Sequence, residues 1–469
     1  MELPRPSASQ DSAPAAAHPE PTLLSSLKAT VFTNLYFNLL LIFIPFGFLA
    51  HYLNWDSSLS FVFNFIAIVG LAKMLDFVTD ELSKRVPPSV AGLLNATFGN
   101  AVELIVSVLA LKAGLIEVVR SSLLGSILSN LLLVLGFCFL FGGIWGNTGK
   151  GKGKAKVQKW GFNFAQKFNY KAANTSTSIL AVTVLSYLLP AAFGANNSFL
   201  LTPKDPNSPY DPKTNPGIQI YDTLIQNVSH VAAIVLLLTY AAYLFFTLYT
   251  HIDFLNTDTY DDDVDASATQ SKLLADEEAN ISSGGNNPGG DEEEEDEPRL
   301  ITVFVAILIL TITTVFIGFN AEFMVDSIDG DTGISKKWQL SETFIGLILI
   351  PIVGNAAEHV TAVSSAMRNK MDLAISVSIG SCLQMALFVS PLLVIVGWAI
   401  NQPLTLVFDG FGTAAVFISV FVVNALITDG HSTWLEGFLL LASYAIIAVS
   451  AFYLQTNPAV TAMLGGSTV

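Results

Sequence analysis

Long apolar runs separated by short polar connections dominate the chain from residue 31 to residue 454. A helix that crosses a bilayer needs about 20 mostly apolar residues. Runs of that length lie at 31–52, 59–79, 88–112, 118–143, 175–194, 223–249, 300–326, 342–366, 373–400, 403–427 and 433–454. The pattern predicts an all-α polytopic membrane protein with eleven transmembrane helices. The third and eighth runs are the least apolar, with Asn, Gly, Glu and Pro near their middles.

Two segments break the pattern. Residues 1–29 are rich in Pro, Ala and Ser and hold no apolar core of signal-peptide length, so they are expected to be a disordered tail. Residues 251–298 hold 16 Asp and Glu against one Lys. The formal net charge of the chain is −16, so nearly all of it belongs to this insert and the apolar body is close to neutral. That balance excludes a soluble enzyme. It also excludes a nucleic-acid binder, which needs a basic face. Within the insert, residues 255–290 read as a disordered linker. Asp291, Glu292, Glu293, Glu294, Glu295, Asp296 and Glu297 form an acidic block before the seventh run. Such a block is either a solvated charge run or a funnel that gathers cations at a mouth. Cys138 and Cys382 lie in apolar runs and read as buried, unpaired side chains.

Lys and Arg orient the array. The connections on the N-terminal side carry 15 of them and those on the other side six; Lys73 lies inside a run. The bias predicts a cytosolic N-terminus, a cytosolic insert and a C-terminus across the membrane. Seven Lys between 150 and 171 fit contact with anionic lipids. Asn196-Asn197-Ser198 fits a glycosylation sequon on the far side.

An internal repeat organises the body. Gly99-Asn100-Ala101-x-Glu103 recurs as Gly354-Asn355-Ala356-x-Glu358, and Gly125-Ser126-x-Leu128 recurs as Gly380-Ser381-x-Leu383, both at an offset of 255. Runs two to six and seven to eleven then form two blocks of five. An odd number of spans inverts the second block, giving a 1+5+5 arrangement with two inverted-topology repeats. Inverted repeats with interrupted midplane helices mark secondary transporters. The expected organisation is a tail (1–29), a first helix and loop (30–57), a first repeat (58–250), the acidic linker (251–298) and a second repeat (299–469).

The chemistry sits in the repeated motifs. A carboxylate near the bilayer centre costs about 2.5–3.5 kcal/mol on insertion scales, so Glu103 and Glu358 are expected to face a polar cavity. Gly99 and Gly354 would permit unwinding before each glutamate. Pro351 would free carbonyls near Leu347. Asn100 and Asn355 add amide oxygens. Ser126, Ser129 and Asn130 in one half, and Ser381 and Gln384 in the other, add hydroxyl and amide groups. Gly125 and Gly380 would let helices approach closely. This oxygen-rich set suits a hard divalent cation such as Ca²⁺ or Mn²⁺. Two neighbouring carboxylates in low dielectric resist double ionisation, so one divalent ion or protons can neutralise them. Competition for one site with alternating exposure makes an antiporter. His359 is a candidate proton relay. Asp76, Asp80, Glu81, Glu322 and Asp326 at helix ends are vestibule candidates.

The strings Asn95–Ser107, Ser121–Gly136, Phe344–Val363 and Ser376–Leu387 resemble the calcium/proton exchangers of vacuolar membranes, within the cation/calcium exchanger superfamily. The resemblance covers roughly residues 60–450. It implies an eleven-helix 1+5+5 fold, Ca²⁺ and H⁺ as transported substrates, and no resident cofactor. It implies that Glu103 and Glu358 bind the ion and that Asn100, Asn355, Ser126, Ser129 and Gln384 line the pathway, with His359 in proton coupling. It places the protein in a vacuolar membrane and maps an acidic cytosolic stretch onto Asp291–Glu297. Mn²⁺/H⁺ or Na⁺/Ca²⁺ exchange remains the alternative within the class. A cation channel would need no such symmetry, and an intramembrane metal enzyme would want His or Cys ligands.

Overall fold

The computed structural model describes residues 21–145, 165–197, 216–250, 299–330 and 332–454. The acidic block at 291–297, the Lys-rich stretch up to residue 164 and Ser198 of the sequon lie outside the described residues. Helix α1 spans Leu23–Phe32. The expected tail of residues 1–29 therefore gives way to a helix at its C-terminal end. Thr22 caps that helix through the Ser25 amide, and its Ala29 packs against a small apolar cluster around Phe77 and Ile301.

Nine helices among the described residues are long and apolar enough to span a membrane. They are α2 (Leu35–Tyr52), α3 (Ser57–Ser83), α6 (Ile116–Trp145), α7 (Tyr170–Asn196), α8 (Ile218–Thr250), α9 (Val303–Asp326), α12 (Met371–Ala399), α13 (Gly410–Asp429) and α14 (Trp434–Tyr453). A tenth span results if α10 (Glu342–Gly354) and α11 (Ala356–Met367), bent by 61°, are taken together. Between α3 and α6 lie two shorter helices, α4 (Pro88–Phe98) and α5 (Ala101–Lys112). These replace the continuous third run of the sequence reading. The run beginning at 403 starts later, at Gly410, where Asp409 caps the helix through the Gly412 amide.

The helices sort into a centre and a rim. In α6 and α12, 72% and 67% of the most apolar window is buried inside the protein, against 11–50% for the other spans. Rim helices turn large apolar side chains outward, among them Val182, Leu189, Leu238, Phe304 and Ile446. Apolar surface of that kind is stable facing lipid, while the backbone polar groups are satisfied within each helix.

The repeat is visible in the backbone. Helices α5 and α11 start and end 255 residues apart, and so do the starts of α6 and α12. Each central helix contains a π-helical turn, Ser129–Val134 in α6 and Met385–Val389 in α12. Such turns often mark functional positions inside otherwise regular helices. A third π turn, Ile345–Leu349, precedes Pro351 in α10 and absorbs the mismatch that a proline without an N–H creates. A two-stranded antiparallel ribbon, β1 (Gln166–Lys167) against β2 (His431–Ser432), ties the start of α7 to the start of α14.

Candidate functional site

Each glutamate stands in the first turn of a half-helix. Glu103 is the third residue of α5 and Glu358 the third of α11. Both helices begin after an asparagine outside the helical region, Asn100 at φ −99°, ψ 12° and Asn355 at φ −91°, ψ 5°. The positive end of each helix dipole therefore points at a carboxylate. That arrangement differs from the expected one in a physical detail. Gly99 is itself helical and Gly354 ends α10, so the asparagines carry the break. The glycines provide room. A Cβ on Gly354 would strike the Glu103 side chain, and one on Gly99 would stand 3.9 Å from Glu358 Oε1. Each half's glycine thus faces the other half's glutamate.

A hydrogen-bonded chain joins the two carboxylates. Ser126 donates to Glu103 Oε1. Asn355 Nδ2 donates to the Ser126 hydroxyl at 3.3 Å, and Asn130 Nδ2 donates to Asn355 Oδ1 at 3.2 Å. Asn130 Nδ2 also reaches the Ser381 hydroxyl at 3.1 Å, which donates to Glu358 Oε2 at 2.6 Å. The three middle links of the chain, Ser126 to Asn355, Asn355 to Asn130 and Asn130 to Ser381, each cross from one half to the other. Ser126, Asn130, Asn355 and Ser381 are all buried. Beside it, Asn100 Nδ2 donates to Gln384 Oε1 at 2.5 Å, and His359 Nε2 lies 3.2 Å from the Ser129 hydroxyl. Among the described residues, Glu103 Oε2 is buried without a hydrogen-bond partner, an acceptor that a bound cation or proton would satisfy.

The two sides of the site differ. A cavity of about 570 Å³ runs from Asn34 and Asp80 inward past Asp76 and Asn95 to Glu358, Ser381 and Gln384. Glu358 faces it, whereas Glu103 is only 4% exposed. Gly380 lines this cavity, and a Cβ there would meet nothing within 4 Å. Its repeat partner Gly125 is the reverse: a Cβ there would collide with the Leu347 carbonyl. The close helix approach expected of both glycines holds only at Gly125.

The structure brings together Glu103, Glu358, Asn100, Asn355, Ser126, Ser129, Gln384 and His359, and puts Asp76 and Asp80 on the cavity wall. It does not bring Glu81 there. That side chain is 1% exposed and accepts the Leu300 amide at 2.7 Å and Lys84 Nζ at 2.9 Å. It fastens the end of α3 to the start of α9. Glu322 is exposed and lines no cavity shared with the site. Asn34, Asn95, Thr361 and Ser376 also line the cavity, and sequence reasoning passed over them. Asn95 sits inside the first recognised string, and Thr361 lies one turn after Glu358, so the 3.6-residue period was a signal for Thr361. Both cysteines are buried and free, as their sequence context implied.

Comparison with known proteins bears on this geometry. The sodium/calcium exchanger protein family matches residues 57–249 and 305–453. The chain belongs to this family. It is 39% identical over 427 residues to the vacuolar calcium ion transporter of Schizosaccharomyces pombe, covering 91% of this chain and 87% of the relative. It is 37% identical to the Ca²⁺/H⁺ antiporter of Aphanothece halophytica, over 92% of this chain and 98% of that one. Among solved structures, the Ca²⁺/H⁺ antiporter protein YfkE superposes with a TM-score of 0.63 at 29% identity, covering 89% of this chain and 99% of that one. The family match resumes at residue 305, so both halves of this exchanger-family chain, and the glutamate each carries, fall inside it.

Proposed function

We propose that this exchanger-family protein is a Ca²⁺/H⁺ antiporter that moves cytosolic Ca²⁺ into an acidic organelle, with a vacuolar membrane as its setting. The observation that carries the reading is the pair of half-helix glutamates, one from each repeat, joined by a single chain of hydroxyl and amide groups. The vacuolar and antiporter names of the relatives support it.

Several finer features belong to the same proposal. The pairing of α4 and α5 with α10 and α11 supports counting both broken pairs as spans, which gives eleven helices arranged 1+5+5. The Lys and Arg bias supports a cytosolic N-terminus and acidic linker and a lumenal C-terminus. On that orientation the cavity at Asp80 opens to the cytosol, and the state described is the cytosol-facing one.

The chemistry follows from charge balance. Two carboxylates close together in a low-dielectric interior are unfavourable unless neutralised. One Ca²⁺ neutralises both, and protons do the same. Oxygen ligands from Glu103, Glu358, Asn100, Asn355, Ser126, Ser129 and Gln384 suit a hard cation that tolerates flexible coordination. Because Ser126 and Ser381 hydroxyls both donate towards carboxylates and are linked through Asn355 and Asn130, the halves share one polar core. His359, held by Ser129, is placed to pass a proton beside Glu358. Exchange results when the loaded site faces one side at a time.

Ca²⁺ uptake into sealed vesicles, with and without an inward-acidic pH gradient, tests the reading. Uptake is expected to require the gradient and to weaken when Mn²⁺ competes. Uptake that persists unchanged after the gradient is collapsed overturns antiport. Glu103→Gln and Glu358→Gln are each expected to abolish exchange while leaving a folded membrane protein. Near-normal transport in either removes that residue from the site.

A further inference from the structure

Lys73 is a positive charge in a place where a cation is expected to travel. Helix α3 ends at Ser83, so at 1.5 Å per residue Lys73 lies about 15 Å inside that end. That is near the middle of a hydrocarbon core about 30 Å thick. An ionisable side chain at such depth ordinarily has a role in the pathway. Its ammonium donates to Asp76 Oδ2 at 2.6 Å and to the Thr361 hydroxyl at 2.9 Å. The first contact is within α3; the second crosses from the first repeat to α11 of the second. Lys73, Asp76, Thr361 and Glu358 line one cavity, with Asp80 nearer its mouth. Thr361 follows Glu358 by three residues, so the ammonium sits one helical turn from the carboxylate expected to receive the ion.

A pair that merely fastened α3 to α11 would need no place on the wall of a cavity of this size. Lys84 Nζ stands 3.4 Å from Asp80 at the mouth; without Lys73, Asp76 and Glu358 would form an uncompensated acidic pair further in. Such a pair would hold a divalent ion on its way in or out, and transport requires binding that is favourable enough to enter but weak enough to leave. We propose that Lys73 sets the cation affinity of this vestibule: its fixed charge cancels Asp76 and opposes the entering ion in proportion to that ion's charge. This inference rests on the cation-exchange reading above.

The test compares Lys73→Met, Lys73→Arg and Asp76→Asn in pH-gradient-driven vesicle uptake, with equilibrium binding of radioactive Ca²⁺ to the purified protein in parallel. Lys73→Met is expected to lower the KM and Kd for Ca²⁺ roughly fivefold, the effect of one unit charge on a divalent ion about 8 Å away at water-like dielectric. Lys73→Arg keeps the charge and should stay near wild type. Asp76→Asn should shift both constants the other way, and added salt should shrink every difference. Constants that are unchanged or raised in Lys73→Met, or an Arg variant that behaves like Met, overturn the proposal. If Lys73→Met does not fold, an unchanged Kd in Asp76→Asn overturns it instead. Wild-type uptake that ignores the pH gradient would sink the exchange reading, while the binding measurements would still judge Lys73.

Discussion

Glu103 and Glu358 were legible in the sequence because a carboxylate inside an apolar run is costly and therefore conspicuous. Their exact offset of 255 residues made the pairing legible too. What the residues beside them do was harder to read. Glycine before a glutamate suggests unwinding, yet the break falls on Asn100 and Asn355, whose φ and ψ any residue tolerates at some cost. The glycines matter through close approach across the halves, a property of tertiary structure that local pattern does not encode. Gly354→Ala is expected to push the Glu103 side chain aside. Overpacking of this kind costs about 1–3 kcal/mol, so the variant should remain folded with a lowered melting temperature and lose most Ca²⁺ binding. Binding at wild-type affinity would show that Glu103 does not need the position it holds here. Glu81 illustrates the opposite error. Its place at a helix end reads as a vestibule group, but it is buried and spent on the Leu300 amide.

At the scale of elements, the apolar runs gave most spans within a few residues, because lipid-facing helices need long apolar sequences whatever they pack against. The misreadings fall where helices break or cap. Asp409 starts α13 later than hydropathy alone suggests, and Thr22 starts α1 inside a segment whose composition reads as tail. The first span is held by a contact that hydropathy does not reveal. Gly47 of α2 stands against Asn64 of α3 and Asn320 of α9, and a Cβ there would collide with Asn64 Oδ1 and lie 3.2 Å from Asn320 Oδ1. Both amides are fully buried. Their Nδ2 groups donate to Ser60 and Phe316 carbonyls at 2.8 Å, and neither Oδ1 atom has a conventional partner among the described residues. Gly47 presents a Cα–H towards both oxygens, a weak donor in that position. Gly47→Ala should therefore loosen α2 from the seam between the repeats and destabilise the protein by about 1–3 kcal/mol. Thermal unfolding in detergent checks this; an unchanged melting temperature would mean that the seam closes equally well without the contact.

The motif-bearing helices α5 and α6 recur as α11 and α12 at an offset of 255 residues, and the two copies are in different states. Gly125 is packed on the Leu347 backbone, while Gly380 opens on the cavity. Sequence could show that these glycines are equivalent but not that they differ, because one chain carries both copies through both states. If the two halves exchange roles during transport, the tight contact at Gly125 and the open space at Gly380 must exchange as well. Gly380→Val is then expected to fit the structure as it stands, binding Ca²⁺ from the Asp80 side with little change. It should block closure, so that vesicle exchange is lost although binding survives. Gly125→Val should do the reverse: it clashes in this state and should weaken binding from the Asp80 side. Labelling of single cysteines placed at Asp80 and at Glu117, on opposite ends of the helices, reports which side is open. Normal exchange by Gly380→Val would show that the second half never closes in the way the first half does, and that the repeat is a record of ancestry rather than the machinery of the cycle.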